Sequence, residues 1–178
     1  IVSQVESHAQ SHGYTTIVCD YRDDARLLEN KLDFLMSKRV DGIVVVPCRM
    51  KEDPLEALVA RRFPLVLFDR LLSRTPADAV VIDNDAASRQ VVTHLLDRGH
   101  RRVGIIIGPR SVYTAVRRLA GYKAALRCAG MAVSDRLIRI GDYSVTGGHR
   151  AMLDLLDARP RPTAVYVTNY DMTLGAIV

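Results

Sequence analysis

Residues 80–109 run VVIDNDAASRQVVTHLLDRGHRRVGIIIGP. An apolar stretch ends in Asp83-Asn84, and a helix follows whose inward face is expected at Val91, Val92, Leu95 and Leu96. Gly99-His100 stops that helix, and Val103 to Ile107 is a second apolar run. Strand, helix and strand in so short a span make one βαβ unit. Such a unit needs a parallel sheet, because the crossover helix carries the chain back to the end where the first strand began.

The same alternation continues on both sides. Upstream, Leu65 to Phe68 is a buried strand closing in Asp69-Arg70, and the loop Leu71 to Asp78 leads to the strand Ala79 to Ile82. Before these come a helix over Glu52 to Arg62 led by Asp53-Pro54 and the continuous apolar run Ile43 to Val46, closed by Pro47. That run is expected to be a strand covered on both faces. Arg22 to Lys38 carries Ala25, Leu28, Leu32, Leu35 and Met36 at helical spacing, and YTTIVC, Tyr14 to Cys19, has the β-branched content of a strand. Residues 1 to 12 form a first helix with Ile1, Val5 and Ala9 on one face, ended by Gly13.

Downstream of Pro109, a polar loop opens a helix to about Cys128, with Ala129-Gly130 as its stop. Leu137 to Ile140 is a short strand ending in Gly141-Asp142-Tyr143, and Thr146 to Ala158 is a helix with Ala151, Met152, Leu155 and Leu156 inward. Pro160 and Pro162 break the chain before the strand Ala164 to Val167, which ends in Thr168-Asn169, and a last helix starts at Asp171. Six or seven apolar strands alternating with helices predict an α/β fold with doubly wound parallel sheets.

Composition agrees with a globular domain. The 178 residues are 48% apolar and 25% charged, and no apolar run is long enough to span a bilayer. The net charge of +5 is spread as arginine pairs, Arg61-Arg62, Arg101-Arg102 and Arg117-Arg118, which suits a solvated surface better than a nucleic-acid tract. Cys19, Cys48 and Cys128 are widely spaced among apolar residues and read as reduced core cysteines. The chain opens without Met and closes at Ala176-Ile177-Val178 inside a helical pattern, as expected of a fragment. No GxGxxG follows a strand, since Gly104 to Gly108 is GIIIG within one, and no P-loop motif occurs. His8 and His12 share a helix face without a third ligand, and His94, His100 and His149 read as surface residues, so no metal is expected.

Ligands of open α/β sheets lie beyond the carboxyl ends of the strands. The residues there are Asp20, Pro47, Asp69-Arg70, Asp83-Asn84, Pro109 and its loop, Asp142-Tyr143 and Asn169. Carboxylate, guanidinium, amide and one aromatic ring suit a polar small molecule such as a sugar. Arg117 and Arg118 lie in the first turns of their helix, where the macrodipole disfavours a cation. Either a surface salt bridge or a ligand oxygen would offset that. Tyr143 fits a half-buried packing role as well as ring stacking, Asn169 could cap the last helix, and Asp83-Asn84-Asp85 reads as a capping box before a cation site. No nucleophile stands beside a base, so no catalytic residue is expected.

Six phrases, in order, carry a further reading: LMSKRVDGIVVVP (35–47), PLVLFDR (64–70), the opening stretch (80–109), RRLAGYKAAL (117–126), GDYSVTGGHRAM (141–152) and PTAVYVTNYDMTLGA (162–176). Together they resemble the LacI/GalR family of bacterial transcriptional regulators along essentially the whole chain. The resemblance implies two doubly wound parallel-sheet lobes of the periplasmic-binding-protein-like type, incomplete at both ends. It implies a first lobe over residues 1–98 lacking its first strand and a partial second lobe over 99–178, with the passage between them near Arg98 to Arg101. Ligand contacts carried over from the family are Asp69 and Arg70 on hydroxyls, Thr114, Arg118 as a forked donor, Tyr143 stacking and Asn169. The function implied is that of a cytoplasmic, homodimeric regulator that binds a sugar-like effector in the interlobe cleft. Operator DNA would be read by a headpiece preceding residue 1, with no cofactor, no catalytic activity and no membrane. Two departures are Tyr170 between Asn169 and Asp171, where many members have Asn-Asp, and Ala86-Ala87, where a Gly is common. A periplasmic sugar-binding protein of a transport system would share the fold and cleft and is the alternative reading.

Overall fold

Short apolar runs separated by amphipathic helices can bury their strands only by pairing them in parallel, and all the strand pairs are parallel. The computed structural model describes residues 2–48, 53–72 and 76–178. Its strands form two separate three-stranded sheets. The first sheet is β1 (Ile43–Val45), β2 (Leu65–Phe68) and β3 (Asp78–Val80), in that order. The second places β4 (Val103–Ile107) between β5 (Ile138–Ile140) and β6 (Ala164–Val167). Ile105 pairs with Ile138 on one side and Tyr166 on the other, so the second sheet is doubly wound about β4.

The helices are α1 (Val2–Ser11), α2 (Ala25–Ser37), α3 (Asp53–Ala60), α4 (Asn84–Asp97), α5 (Tyr113–Cys128), α6 (Val145–Leu156) and α7 (Tyr170–Ile177). Around β4 the strand period of two sorts the core. Val103, Ile105 and Ile107 pack with Val92 and Leu96 of α4 and Leu119, Tyr122 and Leu126 of α5. Ile106 points the other way, onto Ala151 and Leu155 of α6 and Met172 of α7. All five residues of β4 are buried, as a strand sandwiched between two helical layers requires. In the first sheet, Ile43, Val45, Leu65 and Leu67 pack with Leu28 and Leu32 of α2 and Leu55 and Leu58 of α3.

Several expectations are corrected. The passage between sheets is not at Arg98 to Arg101. Val92 and Leu96 belong to the core of the second sheet, so α4 lies with that sheet and the chain passes between the two at Val81 to Asp83. The buried stripe of α4 is Asn84, Ser88, Val92 and Leu96, while Val91 is 41% exposed. Likewise α6 buries Gly147, Gly148, Ala151 and Leu155, and Leu156 faces outward. The run Ile43 to Val46 is covered on one face only, since Val44 is 60% exposed.

Tyr14 to Cys19 forms no strand. Its β-branched residues have the propensity, but a strand also needs a neighbouring edge to bond, and Tyr14, Ile17 and Val18 stay exposed. Helix α2 begins three residues later than expected: Arg22 and Asp23 take positive φ (50° and 55°), and the Asp24 side chain caps Leu27 N at 2.9 Å. A 3-10 turn over Asp135–Leu137 delays β5 to Ile138. The expected helix start at Glu52, the Ile1 end of the first helix and residues 73–75 of the loop lie outside the described residues. Of the three free cysteines only Cys48 is buried, and Cys128 is exposed. Among the described residues no helix is long and apolar enough to cross a membrane, and no group of three His, Cys, Asp or Glu could hold a metal ion.

Candidate functional site

Arg118 sits in the second turn of α5, and its guanidinium spans two elements. Nε donates to Asn84 Oδ1 at 2.8 Å, and a terminal nitrogen donates to the Thr168 carbonyl at the end of β6. Ser88, one turn beyond Asn84, donates its hydroxyl to the Arg118 carbonyl at 2.6 Å. Arg117 pairs instead with Asp85 at 2.7 Å. The sequence left a surface salt bridge or a ligand oxygen open for this pair; Arg117 takes a salt bridge, and Arg118 bonds instead to an amide and a main-chain oxygen of the chain itself. Thr114 is buried one turn before Arg118 on the same helix.

Tyr143 follows β5 with a φ of 67°, and its ring lies against Gly108 at the carboxyl end of β4. A Cβ at residue 108 would stand 2.0 Å from Tyr143 Cζ, so only glycine lets the ring settle there. The turn that aims Tyr143 is pinned by its neighbours. Asp142 Oδ1 accepts from the Ser144 hydroxyl at 2.6 Å and the Ser144 amide at 3.0 Å, while the same hydroxyl accepts from Gly147 N at 2.9 Å and so caps α6. Those bonds from Ser144 hold the Asp142 carboxyl below its usual pKa. Asn169 caps α7: its Oδ1 accepts from Met172 N at 3.0 Å, leaving its amide nitrogen as a donor.

At the end of the first sheet, Asp69 has a φ of 64°, its amide donates to the Val80 carbonyl at 2.9 Å, and its Oδ2 is 3.8 Å from Arg70 Nε. Arg70 donates to Asp23 Oδ1 at 2.8 Å and to the Pro47 carbonyl at 3.0 Å, and its Nε is buried without a hydrogen-bond partner. Beside it the Tyr21 hydroxyl donates to the Val46 carbonyl. Burial, with the neighbouring Cys48, pushes the Tyr21 pKa up to about 12, and burial likewise raises that of Cys48.

Thus Arg118 and the strand end that leads into Asn169 form one group, Tyr143 follows β5 on the other side of β4, and Asp69 with Arg70 forms another group on the other sheet. No hydrogen bond or ion pair among the described residues links the two sheets' groups. Asp23, Ser88 and Thr168 were not expected among the site residues, while Asn84 was expected at a strand end and as part of a capping box. The cap is Asp83, whose side chain accepts from Ala86 N at 2.9 Å. The available signal was spacing: Asn84 and Ser88 continue the i, i+4 stripe of Val92 and Leu96, which places two polar residues on a buried face.

The family model of periplasmic binding proteins and the sugar binding domain of the LacI family matches residues 1–178. The chain belongs to this family. Among LacI-family relatives it is 34% identical, over 99% of its length, to the HTH-type transcriptional repressor PurR of Edwardsiella ictaluri, and 31% identical, again over 99%, to the HTH-type transcriptional repressor CytR of Escherichia coli. It spans 52% of the length of each. Among solved structures, a transcriptional regulator CelR–cellobiose complex superimposes with a TM-score of 0.87 at 32% identity, covering 99% of this chain and 54% of that one. The transcription regulator CcpA of Lactococcus lactis gives 0.89 at 26% identity, covering 99% and 64%. These relatives are regulators of transcription, and the periplasmic-binding-protein-like α/β architecture is the one they share with this chain.

Proposed function

We propose that this chain is the ligand-sensing core of a cytoplasmic, homodimeric LacI-type repressor without catalytic activity. It takes a small sugar-like effector between its two lobes and controls operator DNA binding by a helix-turn-helix headpiece like that of its relatives. The observation that carries the reading is the set of strand-end groups on both sheets, in a chain whose relatives are repressors. Two lobes are taken to meet at Val81 to Asp83, where the chain leaves the first sheet. Asp69 and Arg70 offer a carboxylate and a guanidinium from one side. Thr114, Arg118, Tyr143 and Asn169 offer a hydroxyl, one remaining guanidinium nitrogen, a ring and an amide from the other. That combination matches the hydroxyl edges and apolar face of a sugar ring.

The effector acts by differential affinity for two lobe arrangements, which changes the spacing of paired headpieces. A transport protein would use the same cleft, but repressors among the relatives favour the regulator. The test is a thermal-shift screen of sugars, sugar phosphates and purines against the intact protein, followed by selection of bound duplexes from a random DNA pool in the presence and absence of the hit. A ligand that stabilises the protein and changes its DNA affinity is the expected result. A protein that binds a sugar and selects no DNA sinks the regulator reading, and turnover of the sugar sinks the non-enzymatic one.

A further inference from the structure

Asn84 is polar, only 2% exposed, and stands where the chain passes from the first sheet to the second. Both halves of its amide are used. Nδ2 donates to the Ile82 carbonyl at 3.2 Å, and the Asn84 main-chain N–H donates to the same carbonyl at 2.9 Å. Oδ1 accepts from Arg118 Nε. The passage segment and the guanidinium are therefore bonded through one planar group whose two ends cannot rotate independently. Arg118 is gripped a second time by α4, through Ser88 on its carbonyl, and reaches across to the Thr168 carbonyl next to Asn169. A guanidinium so placed has little freedom, and a displacement at its ligand side is felt at Ile82.

We propose that Asn84 is a positioning residue: it fixes the orientation of the Arg118 guanidinium and couples that orientation to the backbone of the crossing segment, Val81 to Asp83. A ligand drawing Arg118 toward itself alters the bond to Asn84 and, through Nδ2, the geometry at Ile82, where the two sheets are joined. The ligand side of this inference rests on Arg118 being an effector contact, as in the reading above. The bond network does not.

Two measurements on the intact protein separate the two. In hydrogen exchange, Arg118→Ala should speed exchange of the Asn84 amide about tenfold, the effect of one lost charged hydrogen bond, while amides of β4 keep their rates. If the Asn84 amide changes no more than those of β4, the coupling does not exist. In calorimetry with D-ribose, D-glucose and cellobiose as probes, Asn84→Ala should weaken binding of the best probe about tenfold, and should add nothing when Arg118 is already Ala. Fully additive losses overturn the positioning role and leave Arg118 as a contact. No loss from Arg118→Ala with any probe overturns the effector reading, together with the ligand half of this inference, while the exchange result still decides the coupling. Asn84→Asp, which keeps an acceptor for Nε and loses the donor to Ile82, should retain affinity better than Asn84→Ala but exchange as fast at residue 84.

Discussion

At the scale of single residues, Arg118 commits Nε to Asn84 and one terminal nitrogen to the Thr168 carbonyl, and on the proposed reading its second terminal nitrogen donates to a ligand oxygen. Replacing it by Ala in the intact protein removes a charged donor from the site and should cost about 1.5–3 kcal/mol of effector binding by calorimetry. Lys at this position keeps the charge but loses the planar fork, so it should recover only part of the loss. Unchanged affinity in both variants would remove Arg118 from the site. The turn behind Tyr143 gives a second prediction. Ser144 depresses the Asp142 pKa by hydrogen bonding, so the carboxylate's contribution is present above the ordinary aspartate pKa and is lost as pH falls through the lower folded value. Ser144→Ala should raise the Asp142 titration midpoint toward the ordinary range in an NMR pH series and, by uncapping α6, cost about 1 kcal/mol in thermal unfolding. A midpoint that stays put would mean that the amide bond alone holds the carboxylate.

At the scale of elements, α4 shows what periodicity settles and what it leaves open. Val91, Val92, Leu95 and Leu96 are all apolar, so two stripes of the same helix look equally buriable until the neighbours are known. Contact with α5 and β4 selects the stripe through Val92. Val92→Ala should therefore cost about 1.5–3 kcal/mol, and Val91→Ala should fall within about 0.5 kcal/mol of neutral, in chemical denaturation. Equal losses would mean that the helix is rotated. The alternation of strands and helices was legible in the sequence because continuous apolar runs such as Val103 to Ile107 have no other stable environment. Tyr14 to Cys19 was misread because pairing is a property of two segments and propensity of one. Among site residues, those at strand ends were legible from topology. Asn84 was one of these, but its bond to Arg118 and the role of Ser88 were not legible, because a polar residue on a buried stripe is visible only after the stripe is fixed, and Asp23 lies 47 residues from the Arg70 it meets.

At the scale of the molecule, a ligand that bridges both sheets acts differently from one held by a single sheet. A ligand held by the second sheet alone senses the arrangement of the two only through the Arg118–Asn84 link to Ile82, whereas one held by both sheets discriminates directly between arrangements. Closure of the two lobes on a ligand, as proposed, therefore draws on contacts from both sides, Asp69 on the first sheet and Arg118 on the second. Saturating effector should reduce the radius of gyration of the intact protein in small-angle scattering, and at about 100 times its Kd should add about 2.7 kcal/mol of apparent stability. Asp69→Asn keeps the shape of the side chain and removes its charge as an acceptor for ligand hydroxyls, so it should weaken binding and abolish the compaction at concentrations where the native protein is saturated. Restoring saturation with more ligand should restore part of the compaction, because the second sheet's contacts are intact. If Asp69→Asn binds and compacts as the native protein does, the first sheet takes no part in holding the ligand, and closure of the two lobes about it is not how this protein responds.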